Sequence, residues 1–377
     1  MHIGPTTLIL TISMTIGVIA GFVMHRSDYC VTGMFRDAIM FHHTFMLRAL
    51  LLQIVITMIL FEILRQTGTL PFYPFPLLGK PSLANIMGGV VFGIGMVLAG
   101  GCVVGTLYKM GAGSVTSFFA FLGLIFGSGL YPEIHPQWAN IVKTTSISEA
   151  ITLPQLLAIN PLVMVVAVAI PAIILFSRWH RQQLWGKEAV VAGYLQPWKA
   201  ACILTLLGAV SYILLGMPLG ISTTYTKIAA ITETLIIPEH AESLAYFKGV
   251  PLNIYNQLLN TPLHGGAGPA IDSLWDIQFP LIIGITIGST FSAMLLGEFS
   301  VRYKVPGKQI LTAFLGGTIM GFGARMSSGC NIWHLMGGIP IFAISSLLFV
   351  IGLSVGTWIG AKILFRILTG QHNCSCR

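Results

Sequence analysis

Charged residues are scarce in this sequence: Asp, Glu, Lys and Arg make up 8% of its 377 residues, against roughly 25% in a soluble domain. Hydrophobic residues make up 55% of the chain. A chain with so few charges cannot cover a water-facing surface, which excludes an ordinary soluble globular protein. The basic residues are spread over separate stretches, so that binding to nucleic acid is not indicated.

The sequence also lacks the short motifs that carry common enzymatic chemistry. It has no GxxxxGK[ST] phosphate-binding loop, no HExxH zinc motif, no GxSxG nucleophile elbow and no CxxCH haem motif. His42 and His43 are adjacent, and neighbours in a helix do not share a face, so that they make a poor metal site. We therefore expect no enzyme, no cofactor and no metal centre.

Cysteines are few: six residues in an apolar context do not predict a disulfide framework. Cys202 lies in ACILTLLGAV without glycine neighbours and is expected to be a small buried apolar residue. Cys374 and Cys376 form a C-x-C pair near His372 at the C-terminus. Such a pair can bind a soft metal or exchange thiols, although a tail of this kind is more often disordered.

Long hydrophobic segments are what the sequence does have. Several approach the ~20 residues that a membrane-spanning helix requires. We identify nine: 6–24, 48–64, 84–103, 114–131, 156–176, 200–216, 277–296, 309–327 and 340–362. The sequence therefore predicts an all-α polytopic membrane protein.

One glycine-rich stretch within these segments occurs twice. Residues 88–102 read GGVVFGIGMVLAGGC and residues 316–330 read GGTIMGFGARMSSGC, and six of fifteen positions are identical at a constant offset of 228. The identical pairs are Gly88/Gly316, Gly89/Gly317, Gly93/Gly321, Gly95/Gly323, Gly101/Gly329 and Cys102/Cys330. Paired glycine-interrupted segments in the two halves of a membrane protein indicate a substrate site formed by broken helices. We therefore expect glycine-broken half-helices that meet near the membrane midplane, each with one cysteine.

Charge bias predicts the topology. The loop 177–199 and the loop 297–308 are basic, which is typical of cytoplasmic segments, whereas 217–276 carries five acids against Lys227 and Lys248 and should lie outside. Counting crossings places the N-terminus outside, the C-terminus in the cytoplasm, and three spans between the two motif pairs. Because three is odd, the two copies enter from opposite faces and form an inverted repeat.

The predicted organisation has four parts. Residues 1–131 form the first repeat half, and 132–199 form a connecting span and the basic loop. Residues 200–362 form the second half, which includes the long external loop 217–276, and 363–377 form a cytoplasmic tail.

Candidate binding residues lie in and around the duplicated motif. Cys30 lies in a charged loop, MHRSDYCVTGMFRDAIM, that suits a vestibule leading towards the motif cysteines. Arg325 stands in an apolar segment five residues before Cys330, and Lys109 follows Cys102 by seven. An ionisable residue within a span indicates a functional site, although a basic side chain can also reach the membrane interface, which suits Lys109 better than Arg325.

Three stretches, LAGGCVVGTLYKMGAG, GFGARMSSGCN and SDYCVTGMFRDA, together resemble the YeeE/YedE family of inner-membrane sulfur-compound transporters. The resemblance implies thiosulfate uptake through an hourglass-shaped protein with nine long helices, in the bacterial inner membrane. It also implies that three cysteines, here Cys30, Cys102 and Cys330, relay the anion by weak S–H hydrogen bonds. With Gly101, Gly329 and Arg325, these thiols make up the expected substrate-binding set. The partners expected are the anion, membrane lipid and a cytoplasmic sulfur-carrier protein.

Other functions remain open at the level of sequence. GFGARMSSGCN and the long 217–276 loop also resemble the YedE-like branch, which is linked to selenium metabolism, and a selenium compound is therefore an alternative substrate. Cysteines along a pathway also suit a soft metal such as Cu(I), although no methionine cluster accompanies them. A third possibility is a membrane enzyme that passes sulfur between its cysteines and a cytoplasmic carrier.

Overall fold

The computed structural model describes residues 4–70, 72–186, 193–256, 261–301 and 303–369. The first eight helices are α1 (Pro5–Ser27), α2 (Val31–Phe41), α3 (Phe45–Gln66), α4 (Ala84–Leu98), α5 (Val103–Gly111), α6 (Val115–Thr144), α7 (Leu153–Leu157) and α8 (Pro161–Arg181). The next four are α9 (Pro197–Leu215), α10 (Ser222–Ile236), α11 (Pro238–Ser243) and α12 (Ala245–Lys248). A hairpin of β1 (Leu252–Asn256) and β2 (Thr261–Gly265) precedes α13 (Ser273–Leu295), α14 (Gly307–Met326) and α15 (Ile344–Thr369).

The protein is a multi-pass membrane protein with an all-α architecture. In the described part of the chain, eight helical segments are long and apolar enough to cross a membrane. They are Pro5–Phe41, Phe45–Gln66, Ala84–Gly111, Val115–Thr144, Pro161–Arg181, Pro197–Leu215, Ser273–Leu295 and Ile344–Ile367. The ninth predicted segment, 309–327, corresponds to α14, which has 20 residues but is not among these eight.

Both copies of the glycine-cysteine motif break a helix, as the sequence predicted. In the first copy α4 ends at Leu98 and α5 begins at Val103. In the second copy α14 ends at Met326, and the chain becomes helical again from Asn331. Each break contains one residue with left-handed backbone geometry, Gly100 with φ 72° and Ser328 with φ 62°. These two residues occupy equivalent positions of the repeat.

The duplicated glycines bring α4 and α14 into close antiparallel contact. A Cβ built on Gly88 would lie 2.8 Å from Ser327 N, and one built on Gly316, the equivalent glycine of the second copy, would meet Ala99. The two contacts are reciprocal, because Ala99 and Ser327 are themselves equivalent. As residue numbers rise along α4, the residues of α14 that they contact have falling numbers, so that the two helices run in opposite directions. The inverted repeat is therefore visible in the packing itself.

The same repeat relates two parallel helix contacts that flank this crossing. A Cβ on Gly93 of α4 would lie 2.6 Å from the carbonyl oxygen of Leu353 in α15. Correspondingly, a Cβ on Gly321 of α14 would meet the carbonyl oxygen of Leu124 in α6. Backbones this close tolerate only glycine, which is how small residues drive helix association in membranes.

The segment 217–276, expected to be a long external loop, is folded over most of its described length. It contains α10, α11, α12 and the β hairpin. Lys227 of α10 is fully buried and pairs with Asp272 at 2.7 Å. Its ammonium also donates to the carbonyl oxygens of Gly268 and Ala270. These bonds hold α10 against the segment that leads into α13.

Candidate functional site

Cys102 caps the second half of the first broken helix. It occupies the N-cap position of α5 with an extended backbone, and its Sγ accepts a hydrogen bond from the backbone N–H of Gly105 at 3.3 Å. The side chain is 1% exposed. The thiol therefore lies at a helix N-terminus, where unpaired N–H groups and the helix dipole favour negative charge.

Cys330 stands in the equivalent place of the second copy. It is fully buried and precedes the helix that begins at Asn331. In the alignment of the two copies, Trp333 corresponds to Gly105 of the first copy. The two motif cysteines thus present their thiols at two half-helix N-termini.

Cys30 reaches the first of these two sites from a different element. α1 ends at Ser27, Asp28 turns the chain with φ 47°, and Cys30 becomes the N-cap of α2. A Cβ built on Gly105 would lie 2.8 Å from the sulfur of Cys30 and 3.3 Å from that of Cys102. The two sulfurs therefore lie on the same side of α5, next to Gly105. The absence of a side chain at Gly105 makes room for both sulfurs.

α10 connects the cysteine pair to Cys330. Tyr225 of α10 is 1% exposed, and its hydroxyl lies within electrostatic range of both Cys102 and Cys330. Its ring packs edge-on against Phe121 with centroids 5.8 Å apart. Tyr225 is therefore near the motif cysteines of both repeat copies.

Arg325 is buried next to the same helix. Its guanidinium donates to the hydroxyls of Ser222 and Thr223, the first residues of α10. No carboxylate pairs with it among the described residues. Burying a cation without an anionic partner costs free energy, and a bound anion would offset this cost. Arg325 is therefore a candidate anion-binding group.

Two cavities approach the thiols. The Arg325 cavity, about 590 Å³, is lined by Arg325, Ser328, Tyr131, His135 and Thr223 among others. The Lys109 cavity, about 610 Å³, is lined by Lys109, Asp28, Tyr108, His25 and Arg26 among others. Within it, the hydroxyl of Tyr108 donates to Asp28 at 2.7 Å.

The cavities lie at opposite ends of α6. Val115, at the start of α6, lines the Lys109 cavity, whereas Tyr131 lines the Arg325 cavity. Sixteen residues of helix separate these two positions by roughly 24 Å. Asp28 is two residues from Cys30, and Ser328 is two residues from Cys330. Cys30 therefore lies close in sequence to the lining of the Lys109 cavity, and Cys330 lies close in sequence to the lining of the Arg325 cavity.

The structure places the remaining sequence candidates less uniformly. Gly101 and Gly329 lie in the helix breaks, directly before the motif cysteines. Lys109 lines a cavity, where its ammonium donates to the carbonyl oxygen of Gly100 at 2.9 Å. The expectation that Cys202 is buried was wrong: its side chain on α9 is partly exposed. Cys374, Cys376 and His372 lie outside the described residues.

Sequence reasoning missed Tyr225, Trp333, Ser222 and Thr223. Tyr225, Ser222 and Thr223 belong to α10, whose threonine-rich sequence has too low a hydropathy to stand out as a buried helix. Trp333 was detectable, because it occupies the position of Gly105 in the repeat. The one signal available for α10 was the PLGISTTY stretch, in which proline and glycine precede a helix start.

The described residues contain one cluster that offers three metal-type ligands: Glu133, Glu233 and His240. His240 Nδ1 lies 2.6 Å from Glu233, and His240 Nε2 lies 3.5 Å from Glu133. Each imidazole nitrogen thus faces a carboxylate. Two of the three ligands are hard carboxylate oxygens, and this set does not suit the soft metal considered above.

Residues 26–359 match the model of a family described as sulphur transport. The chain belongs to this family. The match covers both copies of the motif and the three cysteines Cys30, Cys102 and Cys330. Membership of the sulphur transport family confirms the resemblance inferred from the motifs, and it confirms the expectation of a transporter rather than an enzyme.

Two similar proteins align with nearly the whole chain, and a third aligns with about a third of it. The thiosulfate transporter TsuA of Spirochaeta thermophila is 30% identical over 369 residues, which are 94% of this chain and 98% of that protein. The thiosulfate transporter TsuA of Escherichia coli K12 is 27% identical, with 93% of each chain covered. The probable transporter YedE of Escherichia coli K12 is 34% identical over 134 residues, which are 34% of this chain and 29% of that protein.

Proposed function

We propose that this protein takes up thiosulfate across the bacterial inner membrane, through the series Cys30, Cys102, Tyr225 and Cys330. The observation that supports this most strongly is that three buried thiols, Cys30, Cys102 and Cys330, lie close in sequence to residues that line two cavities at opposite ends of α6. The full-length similarity to two thiosulfate transporters supports the choice of anion.

The direction of uptake follows from the proposed topology. We place the Arg325 cavity outside, next to the acidic segment 217–276, and the Lys109 cavity in the cytoplasm. The N-terminus is then outside and the C-terminus in the cytoplasm. In this orientation the guanidinium of Arg325, which has no carboxylate partner among the described residues, attracts the dianion at the entrance, before it reaches Cys330.

Neutral donors are suited to passing such an anion onward. A thiol is a weak hydrogen-bond donor that can contact sulfur or oxygen while it remains uncharged. The N-termini of the two half-helices add partial positive charge without creating a deep trap. Several weak sites in series allow an ion both to enter and to leave, which conduction requires. The substrate is then expected to pass unmodified.

Uptake of labelled thiosulfate into proteoliposomes that contain only this protein tests the proposal. Cys102→Ala and Cys330→Ala should each reduce uptake at least tenfold, since losing a hydrogen bond to a charged group costs about 1.5–3 kcal/mol. Cys202→Ala is the matched control and should transport normally, because Cys202 lies on α9, outside the proposed series.

Equal sensitivity of Cys202→Ala and Cys102→Ala would contradict the thiol pathway. The sulfur-transfer alternative, with a cytoplasmic sulfur-carrier protein as acceptor, predicts something different. Intact-mass analysis after turnover would then find a sulfur adduct on Cys102 or Cys330 that forms as fast as transport.

A further inference from the structure

Besides the side-chain amide of Asn331, three buried hydrogen-bond donors near Cys330 have no partner among the described residues. They are Arg325 Nε–H, the indole N–H of Trp333 and the hydroxyl of Tyr225. The side chains are 6%, 5% and 1% exposed, respectively. Buried donors are nearly always paired, because a buried donor without a partner has lost its hydrogen bond to water and gained none in the protein. Three in one neighbourhood therefore call for a common acceptor.

All three donors lie around the same thiol. Arg325 is five residues before Cys330, and its hydrogen bond to Ser222 places it within one turn of Tyr225 on α10. The indole Cδ1 of Trp333, which is bonded to the N–H nitrogen, is the atom nearest to a Cβ built on Gly329, at 2.5 Å. Gly329 directly precedes Cys330. The donors therefore approach Cys330 from α10, from the end of α14 and from the helix that Cys330 itself precedes.

The chemistry of these groups restricts what they can bind. Guanidinium and indole N–H groups donate hydrogen bonds and cannot accept them, so that an acceptor-only ligand suits them. The oxygens of an oxyanion present several such acceptors to converging donors. The first motif copy differs, because the sulfur of Cys102 there meets the sulfur of Cys30 and no arginine or indole occupies the equivalent positions, Val97 and Gly105.

We infer that Arg325, Trp333 and Tyr225 bind the oxygen atoms of the transported anion beside Cys330, while the thiol contacts its terminal sulfur. The ligand class is thus an oxyanion of sulfur or of a similar element, held by its oxygens at the Arg325 end of the pathway. This inference rests on the proposed function for the identity of the anion, but not for the class of ligand.

The test compares two sulfur-containing anions by calorimetry on the purified full-length protein in detergent. Thiosulfate carries oxygens, whereas thiocyanate carries sulfur and no oxygen. Tyr225→Phe and Arg325→Lys each remove one unpaired donor and retain the ring or the charge. Each should raise the Kd for thiosulfate about tenfold or more, the usual effect of losing a hydrogen bond to an anion. The Kd for thiocyanate should stay within about twofold.

Tyr212→Phe is the matched control for a buried tyrosine. The hydroxyl of Tyr212 already donates to the carbonyl oxygen of Phe72, so that it is not available to a ligand. This variant should leave both affinities unchanged. Trp333→Phe is a third test variant, but the smaller ring leaves a gap beside Gly329. If Trp333→Phe does not fold, the result for Tyr225→Phe decides the test.

The possible results separate this inference from the transport proposal. Unchanged thiosulfate affinity in both Tyr225→Phe and Arg325→Lys would overturn the inference, even if the wild type transports thiosulfate. Equal weakening of thiosulfate and thiocyanate would also overturn it, because that pattern indicates a structural role. The wild type could bind sulfate or selenite but fail to transport thiosulfate, and the proposed function would then be wrong. In that case, weaker binding of those oxyanions by Tyr225→Phe, with unchanged binding of thiocyanate, would still support the inference. Binding of no oxyanion by the wild type would overturn both.

Discussion

At position 105 the chain carries glycine, whereas the equivalent position of the second copy carries Trp333. This single difference changes the surroundings of the two motif cysteines. Without a side chain at 105, the sulfur of Cys30 can reach that of Cys102. With an indole at 333, the space beside Cys330 is closed to a second cysteine and gains a buried N–H group.

Gly105→Ala should therefore impair uptake. The new Cβ would lie 2.8 Å from the sulfur of Cys30, closer than a carbon and a sulfur can pack, so that the cysteine must move away. We expect about tenfold slower thiosulfate uptake in proteoliposomes. Thermal stability should change little, because alanine is a better helix former than glycine by about 1 kcal/mol and offsets part of the strain.

Gly208→Ala provides the control for a glycine-to-alanine change in a helix. No atom lies within 4 Å of a Cβ built on Gly208, and uptake should be normal. Wild-type uptake by Gly105→Ala would show that transport does not need the contact between Cys30 and Cys102.

The individual site residues were predictable from the sequence only where the repeat marked them. Cys102 and Cys330 stand out because glycines recur around them at a fixed offset. Tyr225 carries no such mark, and its importance comes from a buried hydroxyl near two thiols that has no partner in the described part of the chain, which only the tertiary structure reveals. The pairing of Cys30 with Cys102 was hidden for the same reason, because it depends on empty space at Gly105.

At the scale of elements, the helix breaks were predictable and α10 was not. Glycines and a cysteine within an apolar run indicate a broken helix, and both breaks occur within the predicted motif. α10 reads as part of a polar loop because it contains several threonines and Lys227. Burial of that lysine becomes possible only through Asp272 and two carbonyl oxygens, which lie more than forty positions further along the chain.

His240 of α11 joins three helices in a manner that depends on pH. It lies between Glu233 of α10 and Glu133 of α6. The hydrogen bond to Glu233, together with the charge of Glu133, raises the pKa of His240 above 6.5. A raised pKa in the folded state stabilises the fold below the unfolded-state pKa, and this contribution is lost as the pH rises through the folded-state pKa.

His240→Gln should therefore lower the melting temperature at about pH 6 but not at about pH 8.5, where the imidazole is neutral in both states. The effect should be small, because an exposed ion pair contributes little. His264→Gln, a change at an exposed histidine of β2 with no ion pair among the described residues, is the control and should show no such pH dependence. A destabilisation by His240→Gln that is equal at both pH values would refute the ionic role.

At the scale of the whole molecule, the relative directions of the two repeat copies were predictable from counting alone. An odd number of spans between the copies requires opposite entry, and α4 and α14 run antiparallel. The ends of the helices were harder to predict from hydropathy. The segment expected at 114–131 continues as α6 to Thr144, and within this extension Trp138 is buried and its indole N–H donates to the carbonyl oxygen of Met326 at 2.9 Å.

Chemical labelling tests the absolute orientation. A cysteine introduced at Ser243, in the acidic segment, should react with an impermeant thiol reagent added to the periplasm. A cysteine introduced at Gln183, in the basic loop, should react only from the cytoplasm. Both positions are exposed, so that access to reagent depends on the side of the membrane. Labelling on the opposite sides would reverse the assignment of the two cavities and the direction of uptake.

The reciprocal crossing of α4 and α14 has the symmetry of an isologous homodimer interface, in which each contact occurs twice. Two identical half-length chains inserted in opposite orientations would form the same crossing, and the two entrances of such a dimer would be chemically identical. A single fused chain is free of that restriction. Here it carries Arg325 where the first copy has Val97, and Lys109 where the second copy has Gly337. Fusion therefore allows one end of the pathway to be built for capture and the other for release.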